Sequence, residues 1–401
     1  MLPPLVPPVG LGVTSGGNIY GNTQVTFTDV LGDKQMSFYA QSISQFRTTA
    51  FTFSSSENRL QYAVQGFMQD MFYYGLYQNV LYDPQLSQYI DRDLAEAVQS
   101  QRGGTVYGIY PFNRYARLEG YTGYINMSEK YTNSSVQALA DDFQRSQGQD
   151  PLFRNGHMMP FGVSFVQETS VFRENGPVAG NAVKVSYDAS PAFGGNWISR
   201  QTLTVDARHY MRLAANGVFA TRFKGLRSIG PNPDFMYFGG NSEMRGYDYL
   251  EFLGHKAFFA NAELRFPLIE AMLTPIGILG GLRGVAYFNI GAGGFNGRDY
   301  TVWTTKSLPY QPILGYEVID EFGGVRPIYG PTINIDGFKL VDGRASYGIG
   351  LESSLLGFPM HFDWSWKTLF NEQWENAIFA AVGGSNQFRK VKFAFWIGYD
   401  F

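Results

Sequence analysis

Alternation between apolar and polar side chains constrains the fold of this chain more than any other feature of its sequence. In FPMHFDWSWK (358–367), Phe362 and Trp364 fall on one face of an extended chain, and His361 and Asp363 fall on the other. Successive side chains of a β-strand point to opposite faces, so a period of two indicates strands. The same period recurs in FFANAELRF, RGVAYFNIG, RASYGIGLE and KVKFAFWIGYDF. The C-terminal half is therefore predicted to be all-β.

The composition favours a membrane location for these strands. Charged residues make up 16% of the chain and aromatic residues another 16%, whereas a soluble domain is typically about 25% charged. Mean hydropathy is nevertheless only −0.17, because apolar residues alternate with polar ones and do not gather in long runs. The best candidate for a membrane helix, 266–288, contains Glu270, Pro275 and Arg283, which argue against one. Strands with one lipid-facing side and one lumen-facing side fit this pattern.

Noisier alternation upstream predicts that the strands form a barrel. We expect an all-β membrane protein with a single domain at residues 1–401, a 16-stranded antiparallel transmembrane β-barrel with strands from about residue 8 to residue 401. An even strand number returns both termini to the periplasmic side of a bacterial outer membrane. Short periplasmic turns then alternate with long outer loops. The long loops are predicted at about 73–103, 130–158, 228–255, 293–342 and 368–387.

Some of the long loops carry signals for local structure. Asp83-Pro84 would cap and begin a helix, and Ser134 or Ser135 could cap another helix with an apolar stripe. Each helix would decorate an outer loop and could cover the barrel mouth. The loop at 293–342 could form a small hairpin of its own.

Motifs for catalysis and metal binding are missing from the sequence. There are no cysteines, which excludes disulfides and thiol catalysis, and the histidines have no metal-ligand spacing. Neither GxSxG nor HExxH occurs, and a net charge of −3 without a basic stripe does not predict nucleic-acid binding. We therefore expect a protein that is not an enzyme and has no cofactor, no metal site and no nucleic-acid partner.

GGNSEMRGYDYLEF (239–252) places Arg245 inside the long loop at 228–255. In the predicted strand order this is the sixth outer loop. A barrel of this width encloses a water-filled lumen, which has to be filled if the membrane is not to leak. The loop has Gly239 and Gly240 for tight backbone geometry and aromatic side chains for packing, so it is expected to fold into the lumen.

An arginine inside the lumen needs acceptors, because its guanidinium does not give up its charge. The nearest lumen-facing candidates are Glu263 and Asn289 on the next two predicted strands. We expect Arg245 to be a latch that pins the loop to the inner wall. A solvated loop arginine is the alternative.

The loop and the strands after it resemble a known family. GGNSEMRGYDY resembles the VRGF/Y signature in the sixth loop of the BamA-like superfamily, also called the bacterial surface antigen family, with MRGY (244–247) in the place of the motif. NAELRFPL (261–268) is similar to the family's strand after this loop, and GLRGVAYFNIGAGG (281–294) is similar to the next strand. ASYGIGLE and LLGFPMHFDW resemble the strands that lead to the C-terminus. The resemblance covers most of the chain and is strongest over 235–401.

The resemblance implies a function in handling protein. It implies a barrel that assembles or inserts outer-membrane proteins, or one that translocates protein through its lumen. Unfolded outer-membrane or secreted polypeptides would be the clients. Within the motif, it implies that Gly246 and Tyr247 belong to the latch together with Arg245.

The sequence departs from the family at two points. Asn289 stands where the family's FxDxG strand carries an aspartate that contacts the loop arginine, which would weaken the latch or shift its charge to Glu263. The family's N-terminal POTRA domains, which deliver clients in the periplasm, are absent from these residues. They would lie upstream of Met1, be replaced by another module, or be dispensable in this member.

The C-terminal segment KFAFWIGYDF resembles the signal by which barrel precursors are recognised as an added edge strand. Its apolar face carries Phe393, Phe395, Tyr399 and Phe401. Trp396 replaces the glycine that usually stands further back in this signal.

The first and last predicted strands would meet at a seam. The first strand, with Gly10 and Gly12, is short and follows several prolines, so its pairing with the last strand is expected to be weak. The family's insertases are thought to open at this place, as a lateral gate. An ordinary closing strand with a frayed start is the alternative.

The sequence leaves two further functions open. A structural barrel that anchors an upstream periplasmic or surface module would need no client, and a passive channel would need no sealing loop. The partners we expect are outer-membrane lipids, polypeptide clients, and an upstream periplasmic domain or accessory subunits.

Overall fold

The computed structural model describes residues 9–13, 19–43, 46–74, 96–146, 155–173, 176–213, 216–274, 277–318, 325–355 and 358–398. The chain falls into two compact units. The first comprises Met1–Val166, Val185–Leu203 and Ser228–Asp234, and the second comprises Gln167–Lys184, Thr204–Arg227 and Phe235–Phe401.

Antiparallel strands in chain order make up most of the first unit. They are β1 (Val9–Val13), β2 (Ile19–Thr28), β3 (Lys34–Ile43), β4 (Phe46–Ser55), β5 (Gln61–Tyr74), β6 (Glu96–Pro111), β7 (Ala116–Tyr131), β8 (Gly156–Met158) and β9 (Phe161–Glu168). Each strand from β1 to β7 pairs with the strand that follows it. Pairing between sequence neighbours is the arrangement that short hairpin turns produce.

Further strands follow. They are β10 (Val171–Arg173), β11 (Gly176–Ser190), β12 (Arg200–Arg212), β13 (Val218–Ile229), the short β14 (Met236–Phe238) and β15 (Phe252–Gly254), then β16 (Lys256–Thr274) and β17 (Gly277–Gly294). After a long connection come β24 (Gly343–Leu355), β25 (Phe358–Thr368) and β26 (Lys392–Ile397). In the second unit β13, β16, β17, β24, β25 and β26 pair antiparallel in that order.

On β16 the polar face is buried and the apolar face is exposed, the opposite of a strand in a soluble protein. Asn261, Glu263 and Arg265 are only 5%, 1% and 1% exposed, whereas Leu264 and Phe266 are 42% and 40% exposed. A strand in a water-soluble sheet would bury its apolar side chains. A buried polar face and an exposed apolar face are typical of strands whose outer surface meets lipid. The predicted all-β fold with period-two strands is therefore confirmed.

β6 is longer than the sequence predicted. The predicted loop at 73–103 was too long, because the strand begins at Glu96, opposite Tyr74, and residues 97–103 are paired on both sides. Two consecutive glycines often indicate a strand end. Here Gly103 and Gly104 lie inside the strand, because β5 and β7 form hydrogen bonds with its backbone on both sides.

The structure tests part of what was predicted for the long loops. Helix α1 (Ser134–Ser146) confirms the predicted second helix. Its cap was wrongly predicted, because Asn133 and not a serine accepts hydrogen bonds, at 2.9 Å from the backbone N–H of Ser135 and 3.2 Å from that of Val136. An asparagine just before the first turn is a strong N-cap. The helix predicted at Asp83-Pro84 lies outside the described residues.

The connection between β17 and β24 contains nested hairpins, which confirms the predicted local hairpin. Its strands are β18 (Trp303–Thr304), β19 (Leu308–Tyr310), β20 (Ile313–Val318), β21 (Val325–Tyr329), β22 (Ile333–Ile335) and β23 (Lys339–Leu340). They pair as β20 with β21, β19 with β22 and β18 with β23.

The connection between β25 and β26 holds two short helices that the sequence analysis missed, α2 (Glu372–Ile378) and α3 (Gly384–Phe388). The signal was Asn371, whose side chain accepts from the backbone N–H of Trp374 at 3.0 Å and so caps α2. Across the part of the chain that the structure describes, no helix combines the length and the apolar character needed to cross a membrane.

Candidate functional site

The segment between β13 and β16 folds back tightly on itself. β14 and β15 pair as its base, and the backbone N–H of Met244 donates to the carbonyl of Gly240 at 2.9 Å. Gly239 and Gly240 have φ of +140° and +83°, a backbone region that other residues rarely adopt. A Cβ on Gly239 would lie 2.5 Å from the carbonyl oxygen of Asp248. These glycines therefore permit the close turn.

Apolar side chains anchor this loop to β16. Met236, Phe238, Met244 and Tyr247 from the loop form one buried cluster with Phe259 of the strand. The rings of Phe238 and Phe259 stack with 5.6 Å between centroids. Burying one large apolar side chain contributes about 1.5–3 kcal/mol, so the cluster favours the docked loop before any charge is considered.

Arg245 lies at the centre of the docked loop and is only 2% exposed. Its Nη2 is 2.9 Å from Oε1 of Glu263 on β16, and its Nε is 3.5 Å from Oδ2 of Asp363 on β25. The guanidinium lies over the ring of Tyr287 on β17, 4.4 Å from the centroid. Nε also donates to the backbone carbonyl of Asn241 at 3.0 Å. The loop arginine thus contacts three strands through its charge.

Glu263 serves two arginines. Besides Arg245, it accepts hydrogen bonds through Oε2 from Nε and Nη2 of Arg265 at 2.9 and 2.7 Å. All three side chains are almost completely buried, and a buried charge is tolerated only when it is paired. Together with Asp363, the cluster holds two cations and two anions, so its formal charges balance.

The residues that follow Arg245 fix its backbone against β24 and β25. The carbonyl of Arg245 accepts from Oγ of Ser346 at 2.5 Å. Gly246 has φ of +91°, and a Cβ there would lie 2.8 Å from Cβ of Ser365. The hydroxyl of Tyr247 donates to the carbonyl of Ala345 at 3.1 Å, and burial raises the pKa of this phenol.

Asn289 belongs to a neighbouring part of the same network. Its Oδ1 accepts from Nδ2 of Asn261 at 2.8 Å, and its own Nδ2 donates to Oγ of Ser346 at 3.1 Å. Asn261 in turn donates to the carbonyl of Glu243 in the loop at 2.5 Å. The structure therefore brings Glu263 against the guanidinium and places Asn289 where it supports the loop backbone through its neighbours.

Two partners of Arg245 were missed by sequence reasoning. Asp363 and Tyr287 both lie on the polar faces of clearly alternating segments, which was the available signal. Which of the many polar-face residues meet the loop depends on the register of β17 and β25, and sequence alternation does not set that register.

The residues predicted for a seam are only partly described. Gly10 and Gly12 lie on β1, opposite Asn22 and Tyr20 of β2. On β26, Phe393 and Phe395 are 54% and 51% exposed, as expected of an outward apolar face. Their strand pairs with β25. Tyr399 and Phe401 lie outside the described residues.

Metal binding has no support in the described residues, since among them no three His, Cys, Asp or Glu side chains are placed to hold an ion. The arrangement at Arg245 is one of buried charge pairing and close backbone packing. Such an arrangement fixes a loop in place.

Comparison with known proteins gives no match to any protein-family model and none to a curated protein. Solved structures do match. BamA from Haemophilus ducreyi lacking POTRA domains 1–3 aligns with 97% of this chain and 69% of its own length, at a TM-score of 0.55 and 13% identity. The chain has a BamA-like fold.

Two further solved structures align less well. CdiB from Acinetobacter baumannii matches at a TM-score of 0.46 and 11% identity over 97% of this chain, and CdiB from Escherichia coli at 0.47 and 13% over 91%. The chain spans 58% and 59% of those two proteins.

Proposed function

We propose that this chain is an outer-membrane β-barrel that handles unfolded polypeptide, by inserting clients into the membrane or by translocating them. The BamA-like fold and the reversed burial of β16 support a membrane barrel. The proposal depends above all on the burial of Arg245, held by Glu263 and Asp363 from two different strands. The 16-stranded count, the periplasmic termini and the lumenal position of the loop belong to this proposal.

In this proposal the loop at 235–254 is a latch inside the barrel. An arginine cannot lose its charge in response to burial, so it remains in a buried position only where acceptors are already in place. Breaking one side of a buried ion pair costs about 3–5 kcal/mol, which is enough to keep the loop docked. The latch residues are Arg245, Gly246, Tyr247, Gly239, Gly240 and Glu263, with Asn289 in support.

The lateral gate remains a prediction from the sequence. It would lie where the strand with Gly12 and the strand with Phe395 meet in a closed barrel. A disulfide between cysteines introduced at these two positions should block client handling. Full activity in the cross-linked protein would remove the gate from the mechanism and leave the loop latch in place.

The proposal is tested by reconstituting the chain into phospholipid vesicles and adding a urea-unfolded small outer-membrane barrel. Folding of that client is followed by its heat-dependent gel mobility. We expect the client to fold several-fold faster than in vesicles that contain a passive porin. Equal rates would contradict insertion, and protease protection of an added secreted polypeptide inside the vesicles would then identify translocation.

Bilayer conductance separates this proposal from a passive channel. With the loop docked, we expect small and flickering currents that Arg245→Ala enlarges. Arg326→Ala is the matched control, because Arg326 is an exposed arginine that pairs with Glu317 across the hairpin of β20 and β21. A large steady conductance in the unaltered chain would favour the channel. A sealed barrel without client activity would favour a structural anchor for another module, with lipids and that module as its partners.

A further inference from the structure

Trp396 is the one large aromatic side chain that β26 places on its polar face. It lies opposite His361 in the register of β25 and β26 and is 9% exposed. In contrast, the phenylalanines at 393 and 395 lie on the outward face and are more than half exposed. The alternation pattern alone would place a small or polar residue at position 396, so the tryptophan needs a reason.

The indole of Trp396 makes a directed polar contact. Its Nε1 donates to Oδ2 of Asp363 at 2.8 Å, and both groups are buried. The same oxygen lies 3.5 Å from Nε of Arg245. One carboxylate oxygen therefore joins the last strand to the loop arginine. Hydrogen bonds that involve a charged partner are roughly twice as strong as neutral ones, so this contact fixes the carboxylate firmly.

A second set of contacts fixes the ring of Trp396. The imidazole of His361 stacks on the indole at 3.7 Å with an interplanar angle of 5°. Nε2 of His361 lies 2.8 Å from the carbonyl of Gly398, and Nδ1 lies 3.5 Å from Oε1 of Glu352. Glu352 is in turn held by Nη2 of Arg283 at 2.5 Å. Rotation of the indole away from Asp363 would therefore break its stacking on His361, which Gly398 and Glu352 hold in place.

We infer that Trp396 is a positioning residue that couples the last described strand to the loop latch through Asp363. This inference rests on the latch proposed above. If β26 separates from β25, the indole leaves Asp363, and the carboxylate is then free to turn away from Arg245. Conversely, release of Arg245 leaves Asp363 with one partner fewer and weakens its hold on β26. The loop and the last strand thus stabilise each other.

The loop and β26 also meet at an exposed point. Nζ of Lys392 lies 2.5 Å from Oδ1 of Asp248, but these side chains are 39% and 79% exposed. Exposed ion pairs contribute little to stability because water and salt screen them. The buried contact through Asp363 is therefore expected to carry most of the coupling.

The test is hydrogen exchange of the whole chain in a membrane mimetic, comparing Trp396→Phe with the unaltered protein. Phenylalanine keeps an aromatic ring for His361 but removes the N–H. We expect about tenfold faster exchange both in β26 and in the loop at 239–251, since a hydrogen bond to a charged group contributes about that factor or more. Trp364→Phe is the matched control, because Trp364 lies on the other face of the same strand pair. Its ring centroid is 5.3 Å from that of Phe393. It should leave the loop unchanged.

Further variants separate this inference from the latch itself. Asp363→Asn keeps an acceptor for the indole but loses the charge that faces Arg245, so it should loosen the loop more than β26. Repeating Trp396→Phe in a Lys392→Gln background removes the exposed contact and should still loosen the loop. Faster exchange in β26 alone, with the loop unchanged, would overturn the coupling. A loop that stays protected in Arg245→Ala would instead overturn the latch.

Discussion

Nη2 of Arg245 lies 2.9 Å from Oε1 of Glu263, and both side chains are almost completely buried. One residue comes from a loop and the other from the middle of β16. Glu263 also pairs with Arg265, so each of its two carboxylate oxygens faces one guanidinium. We therefore expect the docked loop to depend strongly on this carboxylate.

Glu263→Gln should destabilise the protein strongly, because two buried guanidiniums lose a charged partner at once. We expect a loss of about 3–5 kcal/mol in the free energy of unfolding, the usual effect of breaking a buried ion pair. Urea unfolding in detergent micelles measures it. Glu317→Gln is the matched control, since Glu317 pairs with Arg326 at an exposed site and should lose less than about 1 kcal/mol. Equal losses in both variants would contradict the central role of Glu263.

Arg245→Ala should release the loop at 239–250 and create new protease cuts there, because its charge contacts to β16 and β25 are lost together. Arg245→Lys should restore little protection, since a point charge on a flexible stem cannot replace a planar group that faces two carboxylates and a ring. Limited proteolysis with gel analysis is the measurement. A cutting pattern identical to that of the unaltered chain would show that the loop is held by its apolar contacts alone.

Gly246→Ala should loosen the loop for two separate reasons, its positive φ and the close approach of Ser365. Gly297→Ala is the control for the first, because Gly297 has φ of +76° and open space around it. Combining Gly246→Ala with Ser365→Gly removes the opposing Cβ and should recover part of the loss. Hydrogen exchange of the loop reports each step, and no recovery in the double variant would assign the whole effect to backbone strain.

Protection of the loop from hydrogen exchange should fall slightly in acid because of Asp248. The hydrogen bond from Lys392 lowers the pKa of this carboxyl, so its contribution is present above the ordinary aspartate pKa of about 4 and is lost as the pH falls through the lowered value. The effect should be small, since the group is largely exposed. Comparing Asp248→Asn with the unaltered chain between pH 3 and pH 7 isolates it. The variant should show the flatter profile, and parallel profiles would exclude this contact.

The sequence by itself determined the strand character of the chain. A period of two, as in FFANAELRF or KVKFAFWIGYDF, places apolar side chains on one face of a strand and polar side chains on the other, and the apolar face is the one that can meet lipid. It also singled out Arg245 and Glu263, since a charged residue among glycines and aromatics needs an acceptor on a polar face. Local signals were enough to predict α1, although not its cap, and a hairpin between β17 and β24.

Tertiary structure alone decided which polar-face residues meet the loop. Asp363 and Tyr287 are far from Arg245 in sequence, and only the register of β25 and β17 brings them to its guanidinium. Trp396 looked like a departure from a C-terminal signal until the register of β25 and β26 placed its N–H on Asp363. Alternation fixes the face on which a side chain lies, but the position along that face is set by pairing between strands that are distant in the chain.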